Sequence, residues 1–300
     1  MTTAGSTRRP AVAGYYYPAD PTALRCAVDG FARAKVRPAP ALGLLLPHGS
    51  FRHCGMILGE TLAQVTIPRR CVILGPSHTG SLMPWSLMVS GAYRTPLGDV
   101  PVDEPCAQAL LARCAFLEPD AWSQRGEHAV EVVLPFLQRL GPRDLTIVPI
   151  VTGSDNPDEF SSAAHALAQV IRMQEEPVLL IASSDLSHYE PPERSRAKDQ
   201  ALIDAVCSLD EARLIRNVHD GGALMCGYGA AACVLSAARA LGARRGSLIR
   251  YGTSAARVVM PHPILSDTAC AAGTARPSGA VLHRPTSSLS SSLPGRPRGR

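Results

Sequence analysis

The chain has 300 residues, 46% of them hydrophobic, and a formal charge of +5, which is enough apolar material for one large core near the upper size of a single domain. All of the excess charge sits in Arg276, Arg284, Arg296, Arg298 and Arg300, so residues 1–275 balance at 25 basic against 25 acidic side chains and lack the basic field of a nucleic-acid-binding domain. The uncharged run over residues 221–238 is mostly Ala, Gly and Ser, a composition suited to close helix packing rather than to a membrane span.

The first expected element is a helix opened by Asp20 as N-cap and Pro21 at the first helical position, with Leu24, Val28 and Phe31 on one face. Short apolar runs at residues 42–46, 71–74 and 86–89 read as strands. A helix is expected over residues 127–140, where Val130, Val133, Leu134 and Leu137 form a stripe. Strands at 145–151 and 178–182 then alternate with helices at 158–173, 194–207, 210–216 and 222–241. Further strands are expected at 248–251 and 257–259. Alternation of this kind marks an α/β layered domain. Beyond residue 270 the chain turns to Pro, Ser, Gly and Arg, with too few large apolar side chains to offset the entropy of ordering. Residues 1–270 are therefore expected to form one domain and residues 271–300 a disordered tail, dispensable for the site described next.

Nine cysteines, an odd number without a CxxC pair, follow an N-terminus "MTTAGSTRRP" that has no apolar segment. That pattern suits a reducing cytoplasm. Lysine occurs only at Lys35 and Lys198, so arginine reads as a compositional bias and single arginines carry little weight.

Three of the expected strands end alike. One runs into Pro47-His48, the next into "GPSH" with His78, and a third into "SSDLSH" with Asp185 and His188. Ligands of open α/β sheets sit outside the carboxyl ends of the strands, so these ends can converge on one cleft. Cys226 stands near the start of an Ala-rich helix, where N–H groups and the helix dipole favour a thiolate. Glu127-His128 stands at another expected helix start. Two imidazoles and a thiolate or carboxylate suffice to hold a catalytic transition metal, with Asp185 and His188 as acid/base or orienting groups. Taken singly, each of these residues reads more readily as a capping histidine or a small core cysteine; the agreement of four separate strand or helix ends is what favours a site. Two other chemistries stay open: a hydrolase with Ser184 or Ser187 as nucleophile, although no G-x-S-x-G elbow surrounds either, and a Cys226/His dyad. His165, His219, His262 and His283 show no such placement.

At these residues the sequence resembles the Memo family, relatives of the class III extradiol (LigB-like) dioxygenases. The segments that carry the resemblance are "RRPAVAGYYYPAD", "PHGSFRHCG", "LGPSHTG", "TPLGDVPVD", "EHAVEVVLPFL", "SSDLSHY" and "MCGYGAAACVL". The resemblance implies a three-layer αβα fold around a central mixed, largely parallel sheet, with a pocket in which a cysteine replaces the dioxygenases' carboxylate. On matching positions it implies His48, His78 and Cys226 as metal ligands, with Asp185 and His188 lining the pocket. Asp185 and His188 are then the expected catalytic residues, and Tyr16, His53, Glu127 and His128 the expected pocket residues, His53 as an extra imidazole where the family has an aromatic side chain. The ligand types suit Fe(II) or copper, with zinc as the alternative metal, so a metal-dependent oxidoreductase is the expected activity, and the resemblance implies AMMECR-type and radical-SAM proteins as partners. A non-catalytic adaptor and a zinc hydrolase are the rival readings. The sequence departs from the family at Ser50-Phe51, at His53 in place of an aromatic residue, at Val133 in place of a second histidine, and in "GTSAARVV".

Overall fold

The protein is described by a computed structural model that covers residues 6–33, 37–80, 83–188, 190–253 and 278–283. After the two-residue β1 (Thr7–Arg8), the Asp20 carboxylate accepts the N–H groups of Thr22 and Ala23, and α1 (Pro21–Phe31) begins where its cap and proline place it. Then follow β2 (Ala41–Leu46), α2 (Phe51–Leu62), β3 (Arg70–Pro76), β4 (Trp85–Leu87), β5 (Ala92–Thr95), β6 (Gly98–Pro101), α3 (Glu104–Leu111) and β7 (Glu118–Pro119). A 3₁₀ turn at Glu131–Val133 leads into α4 (Leu134–Leu140), β8 (Thr146–Thr152), α5 (Pro157–Arg172) and β9 (Val178–Ser183). The described chain continues through α6 (Pro192–Cys207), α7 (Glu211–His219), α8 (Tyr228–Ala240), β10 (Gly246–Tyr251) and β11 (Ser278–His283).

The main sheet has eight strands in the order β10-β11-β2-β9-β3-β8-β4-β7. Its centre, β2-β9-β3-β8, is parallel, and antiparallel pairs join β4 to β8, β11 to β2 and β10 to β11. Strands β2 and β9 are buried at every residue, because helices cover both faces of a parallel sheet and leave no strand face for water. Helices α1, α2 and α4 pack together on one side, and α3, α5 and α8, joined by α6 and α7, pack on the other. The expected three-layer αβα architecture with a mixed, largely parallel sheet is the one observed. A small sheet of β1, β5 and β6 stands beside it.

Four expectations change. The helix predicted over 127–140 forms only from Leu134, because the Glu127 carboxylate takes the N–H groups of His128 and Ala129 for itself and holds that stretch as a turn. The last long helix begins at Tyr228 rather than at residue 222. Helices α2 and α3 and the short strands β1, β5, β6 and β7 were not anticipated. Within the supposed tail, Ser278–His283 is a strand between β2 and β10, where it covers a β2 edge that would otherwise be left unpaired. The strand expected at 257–259 lies outside the described residues. Among the described residues no helix is long and apolar enough to cross a membrane.

Candidate metal centre

Because β2, β9 and β3 are adjacent and parallel, their carboxyl ends open on one edge of the sheet. His48 follows β2 by two residues, His78 follows β3 by two, and Asp185 follows β9 by two. Cys226 comes to the same edge from the opposite direction, two residues ahead of α8. One ligand atom from each of His48, His78 and Cys226 lies within 4.8 Å of the others, and Cys226 Sγ is 3.4 Å from His48 Nε2. A tetrahedral metal with bonds of about 2.0–2.1 Å to nitrogen and about 2.3 Å to sulfur holds such a pair about 3.6 Å apart. The donor set therefore fits a single ion after small side-chain adjustments.

Both imidazoles have their Nδ1 engaged from behind. His48 Nδ1 is 2.9 Å from Ser183 Oγ, and the Ser183 hydroxyl donates to the Ala129 carbonyl at 2.6 Å. His78 Nδ1 donates to Glu127 Oε1 at 2.9 Å, and Glu127 Oε2 accepts the His78 backbone N–H at 2.5 Å. Burial pushes the Glu127 carboxyl up, but the hydrogen bond and charge of His78, with the N–H groups of His78 and Ala129, outweigh it and hold its pKa at about 2. Glu127 is thus an anion fixed against the back of His78.

His128, expected in the pocket, stacks on His78 with centroids 4.6 Å apart and meets the Tyr16 ring edge-on at 5.0 Å. Burial and the neighbouring histidines lower His48 to about 3 and His128 to about 4, so both are neutral at physiological pH. Asp185 is buried, accepts the His48 backbone N–H, and is raised above the usual carboxylate range by desolvation. His188 donates Nδ1–H to the Leu224 carbonyl at 2.9 Å, which ties its loop to the segment carrying Cys226. His53 lies in the first turn of α2 and is exposed; partial burial and Arg52 lower its pKa, while Asp185 acts in the opposite sense.

The expectation that the helix start favours a thiolate is corrected. Cys226 Sγ accepts the Asp185 N–H at 3.3 Å, yet burial and then the Asp185 charge raise the thiol to about 12. A half-buried thiol held protonated is a poor nucleophile, which weakens the dyad reading; a cation in the pocket would reverse the balance. The serine-hydrolase reading fares no better: Ser184 Oγ accepts the Gly227 N–H and donates to the Asp185 carbonyl, and Ser187 Oγ is buried without a histidine to activate it. Cys54, six residues after His48, donates to the Gly49 carbonyl at 2.8 Å and braces the turn after His48.

Sequence reasoning missed the supports. Arg8, 4% exposed, donates to Glu131 Oε2 at 2.6 Å and to the Gln124 and Glu127 carbonyls. Glu131 also accepts the Ala11 and Val12 N–H groups and the Tyr17 hydroxyl. This network fastens the "RRPAVAGYYY" segment under the turn that carries Glu127 and His128. Asp199 accepts the Ser187 N–H and the Tyr251 hydroxyl, anchoring the loop before His188. A conspicuous Glu131 in "EHAVEVV" was the available signal, but its partner in space was not visible from spacing.

Fold and pocket together define a three-layer α/β protein with a polar, histidine-rich cleft at the carboxyl edge of a mixed sheet. Sequence comparison makes the assignment specific: the Memo-like protein family matches residues 8–261, and the chain belongs to that family. MEMO1 family proteins of Methanopyrus kandleri and Aquifex aeolicus are each 35% identical to it, over 260 and 251 residues, covering 82% of this chain and 92% of the relative. That of Methanothermobacter thermautotrophicus is 33% identical over 259 residues, covering 82% and 93%. The crystal structure of an uncharacterized protein from Escherichia coli K12 superposes with a TM-score of 0.52 at 16% identity, over 80% of this chain and 99% of that one, a likeness of fold alone.

Proposed function

We propose that this Memo-family protein is a metal-dependent oxidoreductase with dioxygenase-like chemistry, and that His48, His78 and Cys226 are its metal ligands. The observation that supports it best is the approach of these three donor atoms to within 4.8 Å of one another, with both imidazole Nδ1 atoms hydrogen-bonded from behind. Two imidazoles and a thiolate suit Fe(II) and copper, and zinc as well. A redox metal bound there would supply electron transfer between substrate and dioxygen. The protein's own groups do the remaining work. His188, with Nδ1 committed to Leu224, holds or accepts a proton at Nε2. Asp185 fixes the His48 backbone and Cys226 Sγ from one position. Tyr16 and His128 form an aromatic wall of the pocket, and His53 stands exposed nearby.

The substrate class is a small molecule, a peptide or a modified macromolecule, and AMMECR-type and radical-SAM proteins are the partners this reading favours. The eight described cysteines are all free, which supports a reducing cytoplasmic location. The test is anaerobic purification, loading with Fe(II), copper or zinc, and measurement of oxygen consumption with candidate substrates. Turnover with iron or copper supports the proposal. Activity with zinc alone would replace it with a hydrolase, and absence of turnover with every metal would leave a binding protein.

A further inference from the structure

We infer that Ser183 is a positioning residue that selects the tautomer of His48 and so presents its Nε2 lone pair to the pocket. The inference rests on the metal-centre reading of that pocket and assigns a job to a side chain that touches neither metal nor substrate.

Ser183 Oγ has one proton, and the Ala129 carbonyl, an acceptor only, takes it at 2.6 Å. Ser183 can then only accept from His48 Nδ1, 2.9 Å away, so that nitrogen must carry the hydrogen. Which imidazole nitrogen is protonated is set by the bond the other one makes. Nε2 is left as the acceptor, and it faces Cys226 Sγ at 3.4 Å. His48 is 1% exposed and Ser183 fully buried, so water does not compete for either nitrogen on the Ser183 side.

The carbonyl that starts this chain is itself placed. Ala129 N–H donates to Glu127 Oε1 at 2.8 Å, and Gly75 in β3 lets residue 129 approach so closely that a Cβ on Gly75 would lie 2.7 Å from that of Ala129. One short segment therefore governs both imidazoles: residue 127 binds His78 through its carboxylate, and residue 129 binds His48 through its carbonyl and Ser183. The sequence places Ser183 at the last position of β9, one residue before Ser184, so the two hydroxyls point to opposite faces. Ser184 turns instead to the Gly227 N–H beside Cys226.

The experiment is long-range ¹H–¹⁵N correlation on histidine-labelled, metal-free protein, with His48 assigned by comparison with His48→Gln, followed by titration with Co(II). The expected result is a His48 imidazole wholly in the Nδ1–H form. Ser183→Ala should let the Nε2–H form appear and weaken Co(II) binding about 10–100-fold, while Ser183→Thr, which keeps the hydroxyl, restores both. An Nε2–H form in the unaltered protein would overturn the inference, and that reading does not depend on any variant folding. So would a Ser183→Ala protein with unchanged tautomer and affinity. An Nδ1–H form without any Co(II) uptake would uphold the role of Ser183 in tautomer selection and overturn the metal reading instead.

Discussion

Burial keeps His48 and His128 neutral, and this ties the stability of the metal-free protein to acid. Their pKa values fall to about 3 and about 4 in the fold, against about 6.5 in an unfolded chain. Below pH 6.5 the unfolded chain takes up protons that the native one refuses, so stability falls as pH drops through this window, by up to about 2.7 kcal/mol per pH unit for two such groups. Near the acid end the raised Asp185, which protonates first in the fold, opposes the loss. Glu127, held at about 2, deepens it as pH falls below 4.5. Denaturant unfolding at pH 7.5, 6 and 5 should show this slope, and His128→Gln should reduce it by about half; a slope that His128→Gln leaves unchanged would place the proton uptake elsewhere. A second prediction separates ligands from acid/base groups. Cys226→Ser should abolish tight metal binding, whereas His188→Ala should keep the metal and lower turnover about 10–100-fold. Elemental analysis and oxygen consumption on the two proteins check it. At this scale His48, His78 and Cys226 were legible because each sits at an element boundary, whereas Ser183 and Arg8 were not. A serine hydroxyl has no preferred partner in a sequence, and one arginine among many gives no sign that it is buried.

The elements that escaped notice share a cause. Helix α2 contains Gly55 and Gly59, which weaken a helical pattern, yet both lie where Phe31 of α1 crosses. A Cβ on Gly59 would stand 2.4 Å from the Phe31 carbonyl, so Gly59→Ala should destabilise by about 1–3 kcal/mol through overpacking, measurable as a lower denaturation midpoint with an unchanged slope. Strand β11 escaped because its apolar residues lie between polar, proline-rich stretches, and only the β2 edge gives them a partner. Val281 and Leu282 are buried there, and the Leu282 side chain packs over Gly43. A chain ending at residue 268 loses this strand. It should be less stable by at least about 3 kcal/mol, at about 1.5–3 kcal/mol for each large buried side chain, although the tail is expected to be dispensable for metal binding itself. Equal unfolding midpoints for the full and shortened chains would contradict the pairing. The 127–133 stretch shows the reverse case: its apolar period suggests a helix, but the Glu127 carboxylate caps the chain two residues on and delays it.

At the scale of the molecule, the alternation of apolar runs with helical periods revealed the central parallel strands and hence the edge where ligands gather. The small flanking strands β1, β5, β6 and β7 are too short to carry a period of their own. What the sheet contributes to function is register: His48, His78 and Asp185 meet because three parallel strands end level, and Cys226 meets them because the Gly227 N–H bonds to Ser184 beside β9. X-ray absorption at the metal edge of anaerobically reconstituted protein, with stoichiometry determined on the same sample, tests this convergence most directly. One metal per chain, with a single sulfur at about 2.3 Å and two imidazole nitrogens at about 2.0–2.1 Å, is the result expected, and Cys226→Ser should lose both the sulfur and the tight binding. A spectrum without sulfur, or full metal retention by Cys226→Ser, would contradict the centre built from His48, His78 and Cys226.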